Sequence, residues 1–172
     1  MDFTQKILNF DLISPYRDLC LIFNGFEAMQ TLDALQHTSE ISRLLREVTS
    51  IAIVGLSPKE NRPSNMVARY LLDVGYTVYH VNPGQTEILG ETCYADLHSI
   101  PHQIDIVDIF RRSEDIFPVV QQLIDLDPLP RAVWMQQGIV NDAAADLARK
   151  NGIFVVMDRC IKVDHGRLVK TK

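Results

Sequence analysis

Ile51-Ala52-Ile53-Val54-Gly55-Leu56-Ser57-Pro58-Lys59-Glu60-Asn61-Arg62-Pro63-Ser64 is the stretch that decides the fold. Its opening residues form a continuous apolar run closed by glycine, the pattern of a parallel strand buried on both faces. From Ser64 the period changes. Val67, Tyr70, Leu71 and Val74 share one helical face, and Gly75 stops the helix. A strand that passes through a glycine loop into a helix begins a βαβ unit.

The chain downstream repeats this alternation. Further strands are expected at 76–83 (YTVYHVNP), 104–110 (IDIVDIF), 131–138 (RAVWMQQG) and 153–158 (IFVVMD). Helices are expected at about 113–125 and from Asn141, as cap, to Lys150. Upstream, Thr38-Ser39-Glu40-Ile41 reads as a cap with an acid in the first turn, and Ile41, Leu44, Leu45 and Val48 continue a helix over about 39–48. Right-handed crossovers then give an α/β, doubly wound, five-stranded parallel sheet with helices on both faces. Residues 1–36 form an N-terminal extension of short helices or disorder. Its Phe3, Phe10, Tyr16, Phe23 and Phe26 follow no sustained period. That apolar content suits docking on the domain of residues 37–172 or on a second subunit, so a homo-oligomer stays open.

Composition narrows the function. With 172 residues and 47% apolar side chains the chain can build one substantial core. A formal charge of -5 argues against nucleic-acid partners, whose phosphates demand basic surfaces. Cys20, Cys93 and Cys160 are odd in number and lack CxxC spacing, so neither a disulfide framework nor a zinc site is indicated. No apolar run is long enough to span a membrane and no export signal is seen, which together point to the cytoplasm.

Ligands of open doubly wound sheets lie beyond the carboxyl ends of the strands. Gly55, Leu56, Ser57, Lys59, Arg62 and Ser64 follow the first strand; Val81, Asn82 and Pro83 end the second. Phe110, Arg111 and Arg112 follow the third, Gln136, Gln137 and Gly138 the fourth, and Asp158, Arg159 and Cys160 the fifth. Gly55 permits a close backbone approach, Lys59 and Arg62 add charge, and the helix opening at Ser64 attracts anions. The expected ligand is a phosphorylated nucleotide. Arg111 and Arg112 have acidic neighbours in Asp108, Glu114 and Asp115, so each can be read as a surface ion pair or as a ligand contact. Trp134 and Tyr79 read as core, and the dispersed histidines form neither a metal site nor a triad. The dinucleotide fingerprint is incomplete, with only its first glycine present, and Asn82 stands where an NAD site expects an acid. Asn82 can donate to a ribose 3′-phosphate such as that of coenzyme A.

Val54-Gly55-Leu56-Ser57 with Arg62-Pro63-Ser64, followed in order by GYTVYHVNP, EILGETCY, DIVDIFRR, VWMQQGIVN and VVMDRCIKVDHGRL, resembles the stand-alone CoA-binding proteins whose domain is similar to the amino-terminal domain of the succinyl-CoA synthetase α subunit. The match runs from about Ser39 to Leu168. The resemblance implies a Rossmann-like fold that binds coenzyme A or an acyl-CoA. Gly55, Ser57 and Arg62 would meet the diphosphate, and Val81, Asn82 and Pro83 would wall the adenosine. Phe110 and Arg111 would border the ligand, with Gln137, Gly138, Asp158, Arg159 and Cys160 toward the pantetheine arm. Two departures stand out. There is no counterpart of the synthetase domain that bears the phosphorylated histidine, and Gly84-Gln85 replaces the lysine that often follows the Asn-Pro turn. The expected role is therefore binding without catalysis. The alternatives are a subunit or remnant of an acyl-CoA ligase and an NAD-binding redox sensor. Cys160 is either a buried, inert thiol or a partner for the coenzyme's own thiol in a mixed disulfide.

Overall fold

β-Branched side chains build the centre of this molecule: SIAIV and IVDI are buried at every position, as strands must be when helices cover both faces. The computed structural model describes residues 25–169. In chain order its elements are α1 (Gly25–Glu47), β1 (Ser50–Val54), α2 (Pro63–Asp73), β2 (Thr77–Val81), β3 (Glu87–Ile88), β4 (Glu91–Tyr94), β5 (Ile106–Ile109), a 3-10 turn (Ser113–Asp115), α3 (Ile116–Ile124), β6 (Ala132–Met135), α4 (Asp142–Lys150), β7 (Phe154–Val156) and α5 (Ile161–Leu168). The unit that carries the sheet begins at Ile41.

All five expected strands are present and parallel, but the sheet has seven strands in the order β3-β4-β2-β1-β5-β6-β7. Every neighbouring pair is parallel except β3 with β4. Without β3, the strands follow the 3-2-1-4-5-6 order of the Rossmann fold, whose switch point lies between β1 and β5. The two additional strands correct the five-strand expectation. β3 is only two residues long, and β4 exposes Glu91 and Thr92 while burying Cys93, so neither carries an apolar run. The connections β2–β4 and β4–β5 contain no helix, another departure from strict alternation.

Strand alternation sorts the core into two layers. Ile51, Ile53, Ile106, Trp134 and Val156 pack with Leu44, Leu45, Val67, Leu71 and Ile161 of α1, α2 and α5. Ala52, Val54, Val107, Val133 and Val155 pack with Ile116, Val120, Leu123, Ala144 and Ala148 of α3 and α4. Trp134 is core as expected, whereas Tyr79 is half-buried and stacks on His102.

Helix starts differ from expectation at two places. α1 passes straight through Thr38, whose hydroxyl donates to the Ala34 carbonyl within the helix instead of capping it. Pro63, with its fixed φ and missing N–H, occupies the first turn of α2, so Ser64 lies inside the helix. Asn141 caps α4 as expected, accepting from the Ala144 amide at 2.9 Å. The part of the N-terminal extension before Gly25 lies outside the described residues.

At the amino end of β1, Asp105 Oδ2 accepts from the amides of Thr49 (2.8 Å) and Ser50 (3.0 Å) and from both hydroxyls. Burial alone would raise this carboxyl. The converging donors outweigh it and hold Asp105 below the ordinary carboxylate range.

Candidate functional site

The pairings Val54↔Val81, Val54↔Ile109 and Ile109↔Met135 align the strand ends. The first residues beyond them, Asn82, Gly55, Phe110 and Gln136, therefore form one row across the switch point. Gly55 is the hinge of that row. Its amide donates to the Val81 carbonyl at 2.8 Å, its φ is +87°, and a Cβ there would run into the Phe110 carbonyl. Only glycine combines this left-handed turn with so close an approach. Phe110 anchors the other side through its amide, 2.8 Å from the Val54 carbonyl.

The loop after Gly55 is held from below. Leu56 is fully buried. The Ser57 amide donates to Ser64 Oγ at 3.1 Å, Ser57 Oγ accepts from the Lys59 amide at 3.2 Å, and the Ser57 carbonyl accepts from Asn65 Nδ2 at 2.9 Å. Asn65 also accepts from Arg69 Nε, and Arg69 pairs with Glu60 at 2.6 Å. Ser64 thus acts as an internal strut and not as a free hydroxyl, being buried. Asn82 is engaged internally as well: its Nδ2 donates to the Leu56 carbonyl at 2.8 Å, with a second N–H still to give, and its Oδ1 accepts from the Gly84 amide at 3.0 Å. Its first role is to tie the second strand end to the glycine loop. Val81 is buried behind it and Pro83 is exposed.

The charges divide into two groups. Lys59 and Arg62 are exposed and Arg111 is half-buried. None of the three has an ion pair among the described residues. Arg111 Nε lies 3.2 Å from where a Gly55 Cβ would be, so its guanidinium overhangs the hinge. α2 starts here with no acid in its first turn, leaving its positive end uncompensated. Arg112, by contrast, binds Glu114 at 3.2 Å and Asp115 at 2.9 Å. Arg159 grips Asp164 with two hydrogen bonds of 2.7 and 2.8 Å. These two arginines are surface and structural partners.

Beyond β6, Gln137 and Gly138 are exposed, and the Gly138 amide donates to Asp158 Oδ1 at 2.6 Å. Cys160 is half-buried against the core at the start of α5. Cys93 is buried, and desolvation raises its thiol pKa. No group of three or more potential metal-ligating side chains occurs among the described residues.

Sequence reasoning passed over Asn65, read Gln136 only as a residue closing the fourth strand, and offered Asp108 as a partner for Arg111 or Arg112, which the structure corrects. Asp108 lies at the centre of β5, fully buried, and both its oxygens accept from Gln136 Nε2, at 2.8 and 3.0 Å. Burial pushes this carboxyl up to about 8 against the opposing pull of those hydrogen bonds. An aspartate inside the apolar run IDIVDIF was the available signal, because a carboxyl on a doubly covered strand needs a dedicated partner.

Residues 49–166 match the family model described as "CoA binding domain". The chain is 40% identical over 127 residues to the uncharacterized protein YneT of Bacillus subtilis, covering 74% of this chain and 93% of that protein. A hypothetical protein from Pyrococcus horikoshii superposes with a TM-score of 0.74 at 37% identity, covering 77% of this chain and 92% of the other. Acetate–CoA ligase [ADP-forming] I of Archaeoglobus fulgidus is 39% identical over 59 residues, 34% of this chain but 9% of the ligase.

Proposed function

This chain belongs to the CoA binding domain family, and from that premise we propose that it binds coenzyme A or an acyl-CoA with the diphosphate over the Gly55–Ser64 loop. The carrying observation is that Lys59 and Arg62, in the loop that follows the Gly55 hinge, and Arg111, which overhangs it, have no ion pair among the described residues of an otherwise acidic protein. A polyphosphate supplies the anions that these side chains lack. The adenosine lies toward Asn82 and Pro83, with Val81 as backing, and the pantetheine arm runs past Phe110 toward Gln137 and Gly138. Cys160, half-buried, is the outermost member of this path, and Arg159, held by Asp164, braces the fifth strand end beside it.

The role is read as that of a binding module without chemistry of its own; among the described residues of the strand-end row no nucleophile is hydrogen-bonded to a general base. Isothermal titration with coenzyme A, acetyl-CoA, NAD and ADP tests the reading. Both CoA species bind and NAD does not; silence with both at millimolar concentration overturns it. The similarity to part of an ADP-forming acetate–CoA ligase supports a second reading, in which the chain serves a ligase as a separate subunit. Copurification of a nucleotide-binding partner together with acyl-CoA turnover would establish that role.

A further inference from the structure

His80 Nε2 is the sole buried side-chain nitrogen or oxygen without a hydrogen-bond partner among the described residues. His80 is fully buried, one residue before the end of β2, and its Nδ1 lies 3.0 Å from the Ile88 carbonyl of β3. A carbonyl oxygen only accepts, so Nδ1 carries the hydrogen and Nε2 of the neutral ring is a bare acceptor. Protonation would give Nε2 a hydrogen that nothing receives and would place a charge in the core. β2 packs against β1, β4 and α2. β1 carries no charged side chain. On α2, Arg69 is held by Asn65 and Glu60, Tyr70 by His165, and Asp73 is exposed. The β3–β4 hairpin supplies the exposed Glu87 and Glu91 and also Cys93, the register partner of His80, whose thiol donates to the Asn82 carbonyl. Burial lowers the imidazole pKa against the opposing pulls of the Ile88 carbonyl and of Glu91.

The hairpin is the element able to yield. β3 and β4 pair over two positions and β4 joins β2 over two, whereas β1 joins β2 over five. The same hairpin carries the second strand end: the Asn82 amide donates to the Tyr94 carbonyl at 2.9 Å, and the Cys93 amide to the Thr86 carbonyl at 2.9 Å. We propose that His80 is a proton-sensitive latch, whose neutral ring clamps the hairpin to β2, and that acidification loosens the hairpin together with the turn of residues 82–84, so that proton and coenzyme A oppose each other. The part played by the coenzyme rests on the CoA-binding reading above, and the loosening itself does not. Because folding lowers the imidazole pKa, the stability that the latch contributes is fully present above about pH 6.5 and is lost as pH falls below it.

Amide hydrogen exchange of the unliganded full chain at about pH 7.5 and about pH 5, corrected for intrinsic exchange, tests the latch. The Cys93 and Asn82 amides are expected to lose about tenfold in protection, the equivalent of one pKa unit, while the Phe110 amide, bonded to the Val54 carbonyl, holds. His80→Asn keeps a donor for the Ile88 carbonyl and does not titrate, so its hairpin protection is expected to stay level. Should that variant fold poorly, the imidazole nitrogen resonances of the unaltered protein decide: the ring is expected to keep its hydrogen on Nδ1 alone to below the ordinary titration range. A ring that titrates at the ordinary value, level hairpin protection in the unaltered protein, or the same loss in His80→Asn overturns the latch. Saturating coenzyme A at the lower pH is then expected to restore the lost protection, since a ligand seated on the closed turn shifts the same equilibrium back. Bound coenzyme that leaves the hairpin amides unprotected overturns the opposition between proton and ligand. Failure of the unaltered protein to bind coenzyme A at the higher pH overturns the CoA-binding reading instead, with the ligand-free exchange result unaffected.

Discussion

The strand ends around β1, β2 and β5 and those of β6 and β7 are made from the same materials, glycine turns and arginines, and they end in opposite states. Around Gly55 the loop is pinned by Ser64, Asn65 and Asn82, yet Lys59, Arg62 and Arg111 have no ion pair among the described residues. Beyond β6 and β7 the polar groups are consumed internally: Arg159 by Asp164, the Gly138 amide by Asp158, and the Trp134 indole by the Arg159 carbonyl. Fixing the backbone while leaving the cations unsatisfied is what a preorganised anion site requires, because the ordering cost is met before the ligand arrives. Pairing the cations as well makes a structural seam. Position at a strand end is thus necessary for a ligand contact and insufficient for one.

The comparison breaks most visibly at Gly55. Gly55→Val forces a side chain into the Phe110 carbonyl at a φ of +87°, so coenzyme A binding should vanish and the melting temperature should fall. A variant that binds normally in titration would remove the hinge from the site. Next come the cations. Arg62→Met and Arg111→Met should each weaken coenzyme A by about tenfold or more, the value of a charge-assisted contact, with the fold's stability little changed. Arg159→Met should do the reverse, costing about 2–4 kcal/mol in denaturant unfolding by stranding the buried Asp164, with affinity per folded molecule preserved. If Arg159→Met instead lowers affinity alone, the two regions are not distinct.

Asp108 yields a smaller, pH-dependent effect. Its pKa is raised on folding, so the folded protein holds a proton that the unfolded chain releases above the ordinary carboxyl range. Its contribution is fully present below about pH 4 and is lost as pH rises through about 8. Urea unfolding of Asp108→Asn should therefore show a steadily growing advantage over the unaltered protein across that window. Parallel curves would show that Asp108 does not titrate there. At the bottom of the scale, Arg112→Met should leave affinity and the denaturation midpoint unchanged, as expected of an exposed pair.

The fold was legible wherever burial wrote itself into the residue pattern. IAIVG, DIVDIF and AVWM lie between two layers of helices and had to be apolar throughout, so their strands stand out. β4 was hidden because it needs only one buried residue, Cys93, and β3 because two residues carry no period. The glycine hinge was legible because its conformation excludes other side chains. What sequence could not supply was pairing. Nothing in the text distinguishes Arg111 from Arg112; that depends on which of them has Glu114 and Asp115 within reach, and structure gives those to Arg112. Asn82 showed the chemistry of a donor, but not that the Leu56 carbonyl already receives it. Gln136 and Gln137 stood together at the end of the fourth strand, and adjacent glutamines look alike until strand register turns one toward Asp108.

The short antiparallel β3 has a bearing on assembly. It terminates its side of the sheet with a ladder of two residues, one of them the exposed Glu87. A second molecule seeking to extend the sheet from that side would find almost no unpaired backbone to template on and a negative charge at the point of approach. The small strand that contributes least to the core thus acts as a stop, turning any self-association on that flank away from strand addition and toward side-chain surfaces.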